Sequence, residues 1–538
     1  MTATTTSVTA RHTRQPDSSM TGMGRLIALA LRRDRIRLPV WIAALTLTMW
    51  YTPTAFELAY PEEADRVARA NLIKTPAGIM FSGPMFGRNE TDIGAMFANE
   101  VMLSVIIAAS ILAILTVVRH TRAEEERGAA ELVLAAPVGR YAPTGAAIVV
   151  VAGLNAVLAV TMTVATAATG LDVIDSAAVS VGIAGVAMVF GAVAAVTAQL
   201  WRTARLATGM AMAVLGAAVV VRGVGDVIDH SGSALSWCSP IAWAQQMRAF
   251  VDLRWWPLAM LVALAAALLV ATVVLQRSRE YDAGRLPSGG EHPDAPPIRG
   301  VLGLYLIQQR GQIIGWSVGL FLAGLSFGSL TQSLLDMAEE NELVARMLSA
   351  QGNDGIYTSM TQFLAAAATA FVAIAVLRLN ADEQSGIAEA VLAGAVSRWR
   401  WLLSAVGASL VGALVLLFSA GLGNGIGAAV TLGEPETVIR LTLAALAHLP
   451  AMAVIAGIAA VAFALRQTWI AWLVVTFVVV SLYLGALLRL PQWLLDLSPV
   501  GRTTVPLDVP VTAMGVMVVV AAGLTTLAGL VFRRRDAM

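Results

Sequence analysis

Long apolar runs, separated by short polar segments, recur from one end of the chain to the other. A helix needs roughly 20 mostly apolar residues to span the hydrocarbon core of a bilayer. The pattern predicts six such helices in each half of the chain, centred near residues 49, 107, 155, 187, 213, 265, 323, 369, 409, 451, 476 and 522. The predicted fold class is therefore an all-α integral membrane protein with twelve transmembrane helices.

A polar segment follows the second apolar run of each half, at residues 119–140 and 378–398. A constant shift of 258 positions superimposes the two copies, and nine of the sixteen aligned positions from 125 to 140 are identical. The aligned pairs of interest are Glu124 and Asp382, Glu125 and Glu383, Gly128 and Gly386, Glu131 and Glu389, and Arg140 and Arg398. A single loop of this kind is explained by charges that keep it out of the lipid. Its recurrence at the matching place in both halves favours a functional role.

The first segment has the spacing of a short helix over residues 124–136. Such a helix would place Glu124 and Glu131 seven residues apart on one face, and Asp382 and Glu389 would reproduce the pair. It would also carry a small apolar stripe, suited to docking against a protein surface, at Ala130, Val133 and Leu134.

The two halves meet in a linker rich in proline, glycine and charge at residues 277–300. We therefore predict a disordered tail at 1–22, a first six-span half at 23–276 and a second at 301–538. A helix with alternating leucine and arginine at residues 24–38 is typical of the membrane interface, and residues 302–314 are its counterpart.

Composition supports a membrane protein, since 57% of the residues are hydrophobic and only 13% are charged, against about 25% charged in soluble proteins. The net charge of +1 gives no argument for nucleic acid binding. Most basic residues fall in the loops that share a side with the termini, which predicts that both termini are cytoplasmic. Lys74 is the only lysine among 36 basic residues, as in high-GC bacterial genomes, so we expect a bacterial plasma membrane.

The residues needed for ATP hydrolysis or other catalysis are not recognisable in the sequence. Lys74-Thr75 is the only pair that could end a phosphate-binding loop, and Ile73 stands where glycine is required. The five histidines are too far apart to bind a metal together, and the single cysteine is Cys238. We expect no enzymatic activity and no cofactor or metal in this chain.

Two features of the spans have simple structural explanations. His448, two residues before Pro450, is the clearest ionisable residue inside a span, and a hydrogen-bonded histidine at a helix kink is the favoured interpretation. Ser239-Pro240 and Ser498-Pro499 recur before the last span of each half, where a break in an interfacial helix is favoured over contact with a substrate.

The order of these elements resembles the membrane subunit of ABC-2-type ABC exporters. Both copies of E-x-x-G-x-x-E, the fused halves and the motif SPIAWAQQMRAF resemble the actinobacterial permeases of polyketide-antibiotic (tetronasin-type) exporters. The resemblance implies a pseudo-dimer of two six-helix halves, as in type V exporters. It also implies that the repeated segments are coupling helices, which bind two copies of a separate ATP-binding subunit that holds ATP and magnesium.

The residues to which the resemblance assigns ATPase coupling are Glu124, Glu125, Gly128, Glu131 and Arg140, with Asp382, Glu383, Gly386, Glu389 and Arg398 in the second half. The function that this implies is export of hydrophobic or amphiphilic compounds, as in multidrug or antibiotic efflux. The alternatives are a secondary transporter with twelve spans driven by an ion gradient, and a membrane-embedded enzyme or scaffold.

Overall fold

The computed structural model describes residues 19–74, 76–86, 91–126, 138–229, 232–277, 300–332, 335, 353–394, 396–483, 491–503 and 510–535. Within these residues the secondary structure is helical, without a β-strand. The chain divides into two compact units, Met1–Pro293 and Asp294–Met538.

The helices of the first unit are α1 (Met23–Arg33), α2 (Arg37–Ala59), α3 (Glu63–Ile73), α4 (Pro76–Ser82), α5 (Ile93–His120), α6 (Arg122–Glu126), α7 (Ala142–Ala167), α8 (Val173–Leu200), α9 (Ala204–Ile228), α10 (Pro240–Gln245) and α11 (Trp256–Arg277). Those of the second are α12 (Gly300–Ser329), α13 (Asn353–Gln384), α14 (Ile387–Leu392), α15 (Arg398–Leu432), α16 (Glu436–Leu446), α17 (Leu449–Ala464), α18 (Trp469–Tyr483), α19 (Gln492–Leu495) and α20 (Val511–Arg534).

Ten helices in the described ranges are long and apolar enough to cross a membrane, against the twelve predicted. The two differences fall at the spans predicted near residues 49 and 476. Helix α2 covers the first position, but threonines, Pro53 and Glu57 make it less apolar than the others. Helix α18 covers the second with only 15 residues, and it ends beside residues 484–490, which lie outside the described ranges.

Polar side chains at the predicted boundaries explain where several spans begin. The side chains of Asp92, Asp172, Thr203 and Ser397 accept hydrogen bonds from the first free amides of α5, α8, α9 and α15. Such caps satisfy donors that have no partner within the helix. In these four helices the polar residue before the apolar run thus fixes the start of the span.

The second unit brings two helices into backbone contact through glycine. A Cβ atom added at Gly328 of α12 would overlap the backbone oxygen of Asn424 in α15, and one added at Gly427 would overlap that of Leu325. Gly324 and Gly423 make equivalent close approaches. Glycines four residues apart on both helices permit this packing, which relies on dispersion and close fit rather than on the hydrophobic effect.

The interfacial helix expected at residues 302–314 is not a separate element. Helix α12 runs without a break from Gly300 to Ser329. In the first unit, by contrast, α1 and α2 are separated at Asp34, whose side chain is buried. The prediction failed for the second half because an amphipathic stretch can continue directly into a span when no buried polar residue breaks the helix.

Buried charge also occurs within a span at a place that the sequence analysis overlooked. Arg222 of α9 is fully buried, lies 3.4 Å from a carboxylate oxygen of Asp226 and donates to the backbone oxygen of Met80. Gln245 donates to Ser82 O at 2.8 Å. These bonds tie helix α4 to the spans, so the Arg222–Asp226 pair has a structural role as an attachment point.

Ser239-Pro240 and His448 both lie at breaks between helices, as expected from the sequence. Ser239 caps α10, with Pro240 in its first turn, and its hydroxyl donates to Ala218 O at 2.8 Å. His448 lies buried at the break between α16 and α17, with Nδ1 3.1 Å from Ala444 O. Both arrangements match a break in helical structure.

Candidate functional site: the two repeated segments

The first repeated segment begins with a break after the long helix α5. The chain turns at Thr121 and forms the short helix α6, which carries both acidic residues of the first copy. Glu124 forms an ion pair with Arg33 at the end of α1, and Glu125 pairs with the buried Arg122. Both carboxylates are therefore used within the chain.

A polar cluster around the buried Asp34 joins this segment to the break between α1 and α2. Asp34 is 1% exposed, with one carboxylate oxygen 2.7 Å from His120 Nε2 and the other 3.4 Å from Arg119 Nη2. The other ring nitrogen of His120 is 3.7 Å from Glu124. Movement of α6 would therefore be transmitted to α1 through this cluster.

The sequence analysis did not single out this cluster, although a signal was present. Asp34 is the one carboxylate in the arginine-rich run of residues 32–37. A lone acid among arginines suggests an internal ion pair, but its partners lie more than 80 positions away and could not be read from the pattern.

The rest of the first segment is described only at its end. Gly128 and Glu131 fall in residues 127–137, which lie outside the described residues together with the apolar stripe and Pro137. Before this gap, Glu126 accepts a hydrogen bond from the backbone amide of Ala204 at 3.1 Å, which attaches the segment to the start of α9.

The second segment does not form a single helix. Helix α13 ends at Gln384, and Gly386 adopts a left-handed conformation (φ 76°) before α14 begins. A Cβ atom at Gly386 would meet nothing within 4 Å, so glycine is needed here for the backbone turn rather than for space. The glycine repeated in both copies has this physical explanation in the copy that the structure describes.

The turn at Gly386 separates two carboxylates that were expected on one face. Asp382 is buried on α13, where it accepts a hydrogen bond from Tyr305 Oη at 3.1 Å and lies 4.0 Å from Arg378 Nε. Glu389 lies on α14 and is exposed. The same-face prediction is wrong for the second copy because the helix direction changes between these residues.

The apolar side of α14 packs inward. Ala388 is buried, and Val391 and Leu392 pack against the core of the second unit. These residues match Ala130, Val133 and Leu134 of the first copy. In the second copy, therefore, the stripe proposed to dock on another protein holds α14 in place and leaves Glu389 facing away from the core.

Glu383 attaches the second segment to the end of α20. It lies 2.5 Å from Arg535 Nη2, while Arg535 Nη1 donates to Phe463 O at 3.3 Å. The Arg535 guanidinium also lies 5.4 Å from the centre of the Phe463 ring. The acidic residue at this position is thus an internal tie, like Glu125 in the first copy.

The arginines that end the two segments occupy equivalent positions. Arg140 Nη2 donates to the backbone oxygens of Gln276 and Arg277 at 2.8 and 3.1 Å. Arg398 Nη1 donates to Arg535 O at 2.6 Å and to Phe532 O at 3.4 Å. Each arginine therefore binds the C-terminal end of the last helix of its unit, where free carbonyls and the helix dipole favour a cation.

A groove of about 530 Å³ lies beside α14, and its charged lining residues are Glu383, Glu389, Arg398, Arg466 and Arg535. Glu383 pairs with Arg535, and Arg398 donates to the backbone oxygen of Arg535. The other two charged groups of the lining, Glu389 and Arg466, can contact a partner. Such a mixed surface suits a protein partner better than a small cofactor.

The ten apolar helices and the polar segments anchored at their ends define a multi-pass membrane protein. The family model of the multidrug efflux system permease Rv1217c, C-terminal domain, matches residues 23–277 and 298–533. The chain is 35% identical over 537 residues to the multidrug efflux system permease protein Rv1217c of Mycobacterium tuberculosis, and the match covers 96% of each chain. The chain belongs to the family of Rv1217c-type multidrug efflux permeases.

Proposed function

We propose that this chain is the permease subunit of an ATP-driven ABC exporter of the ABC-2, tetronasin-type class. It would carry hydrophobic or amphiphilic compounds out of the cell, with two copies of a separate ATP-binding subunit. The observation that carries the proposal is the recurrence of an anchored polar segment in both halves of a chain that belongs to an efflux permease family. The twelve-span pseudo-dimer is part of the same proposal.

The anchors suggest how movement of a partner would reach the spans. Glu124 connects the first segment to α1, and Glu383 connects the second to α20 through Arg535. Arg140 and Arg398 hold the other end of each segment to the last helix of its unit. A partner that moves the first segment would therefore move α1 and α11. A partner that moves the second segment would move α20.

ATP and magnesium would be held by the partner subunit, and their binding would alter the segments only through contacts that differ between two conformations. In this chain, Gly386 provides the turn, Ala388 fixes α14 and Glu389 offers the exposed carboxylate. The apolar spans would supply a cavity for apolar cargo.

The same proposal places both termini and both segments in the cytoplasm. Cys238, which is exposed, would then face outward. A membrane-impermeant thiol reagent should label it in whole cells, with Cys238→Ser as the control. Labelling confined to inverted vesicles would show the opposite orientation.

The function is tested by expressing the chain with and without a candidate ATP-binding subunit. The purified chain alone should not hydrolyse ATP, and the complex should contain one permease and two ATPase subunits by mass. Efflux of amphiphilic dyes should require the partner. Efflux that persists without it and follows a proton gradient would support the secondary transporter instead.

A further inference from the structure

A second groove lies in the second unit, where α15 begins and α20 ends. Its volume is about 570 Å³, and it is lined by Ser397, Arg398, Trp399, Thr526, Leu530 and Arg533. Among these described residues there are two guanidinium groups and no carboxylate. The groove therefore combines positive charge with an aromatic and an apolar wall.

The two arginines of this groove have different roles. Arg398 is engaged with the backbone oxygens at the end of α20. Arg533 is exposed and forms no ion pair within the part of the chain that the structure describes. Its guanidinium is therefore available to an anion.

Trp399 is seated in a notch made by a glycine. A Cβ atom at Gly529 would overlap the six-membered ring of Trp399, so no larger residue fits beneath that ring in this position. Leu530, one residue further along α20, is 49% exposed. A tryptophan at the end of an apolar helix is typical of the membrane–water interface, and Leu530 adds an apolar side chain beside it.

The first unit lacks these features at the equivalent positions. The shift of 258 places Tyr141 opposite Trp399, Ala271 opposite Gly529 and Leu275 opposite Arg533. The anchoring arginine is repeated, since Arg140 corresponds to Arg398, but the free cation and the tryptophan with its notch are not. The combination belongs to the second half alone.

We infer that this groove binds the headgroup of an anionic phospholipid. Its phosphate would lie against Arg533, and an acyl chain would lie along Leu530 and the Trp399 ring. The volume is in the range of small-molecule sites, and an arginine beside an acidic lipid surface strengthens binding about fivefold. Because no carboxylate lines the groove, the ammonium group of a zwitterionic lipid would have no partner there, which favours an anionic lipid.

The test uses the purified full-length chain, exchanged into mixed phosphatidylglycerol and phosphatidylcholine, with lipids retained on the protein counted by native mass spectrometry. The wild-type chain should retain phosphatidylglycerol preferentially. Arg533→Gln should reduce that retention about fivefold. Arg534→Gln, which removes an adjacent exposed arginine outside the groove lining, should change it less than twofold.

Gly529→Ala separates the shape of the groove from its charge. This variant keeps every arginine but displaces Trp399, so it should also lower phosphatidylglycerol retention while the protein remains folded by thermal unfolding. Equal losses in Arg533→Gln and Arg534→Gln would overturn the inference in favour of diffuse surface charge. Displacement of the lipid by inorganic phosphate alone would instead identify a phosphate site, and unchanged lipid retention with weakened ATPase capture would assign the surface to the partner.

Discussion

The two halves of the chain keep the same anchor but attach their first long helices in different ways. In the first half, the break between α1 and α2 is held by the buried Asp34, which contacts the buried His120 and the exposed Arg119. In the second half, α12 is continuous and meets α15 through glycines. When the two halves are aligned by matching Trp41 with Trp316, Gln309 corresponds to Asp34. Gln309 donates a hydrogen bond to Ala375 O at 3.4 Å.

This difference shows which parts of the duplicated design are interchangeable. The arginine that binds the end of the last helix is present in both halves. The contacts of Asp34 that hold the first long helices in the first half are replaced in the second by close backbone packing of α12 against α15. Ion pairs can separate and form again without changing the core, but interlocked backbones cannot. We therefore expect the first half to adjust at the α1–α2 junction while α12 and α15 move together.

Removing the carboxylate of Asp34 should have the largest effect on stability. Asp34→Ala leaves His120 and Arg119 without their buried partner, and breaking such a pair costs about 3–5 kcal/mol. Thermal unfolding of the purified chain would measure the loss. Asp252→Ala, which breaks an exposed pair with Arg254 in the same half, should cost less than about 1 kcal/mol. Equal losses would mean that the cluster does not hold the junction.

Adding a methyl group between α12 and α15 should come next. Gly328→Ala would place Cβ against the Asn424 backbone, and because no rotamer change can relieve this clash, we expect a loss of about 3 kcal/mol. Gly319→Ala on the same helix is the control, since nothing lies within 4 Å of its Cβ position. A stable Gly328→Ala variant, by the same unfolding assay, would contradict the close packing of the second half.

Loss of the shared anchor should have a smaller effect in either half. Arg398→Gln and Arg140→Gln each remove charged hydrogen bonds to helix-end carbonyls, which are worth about 1–3 kcal/mol. Arg400→Gln is the control, because Arg400 is exposed and its side chain has no ion pair among the described residues. If the anchor variants unfold normally but fail to capture the ATPase, the arginines contact the partner rather than the helix ends.

The sequence predicted the positions of the helices better than the contacts of individual side chains. Apolar runs located the ten long apolar helices of the described ranges, and a fixed shift located both segments, because hydrophobicity and internal identity can be read directly from the residues. Burial of Asp382 depends on Tyr305, and the role of Arg398 depends on the end of α20; both partners are distant in sequence. The change of direction at Gly386 could not be predicted, because a glycine within a helical pattern can either continue the helix or, with a positive φ, end it.

The central claim, that the repeated segments couple an ATPase to the spans, is tested most directly at Glu389. This carboxylate is exposed on α14, so Glu389→Arg should change stability by less than about 0.5 kcal/mol. At an interface with basic groups of a partner, the same change should cost about 2–5 kcal/mol of binding. Glu434→Arg, at another exposed glutamate of the second half, is the control. We predict normal membrane abundance, with loss of co-purified ATPase and of efflux in Glu389→Arg alone; full ATPase capture and export would contradict the account.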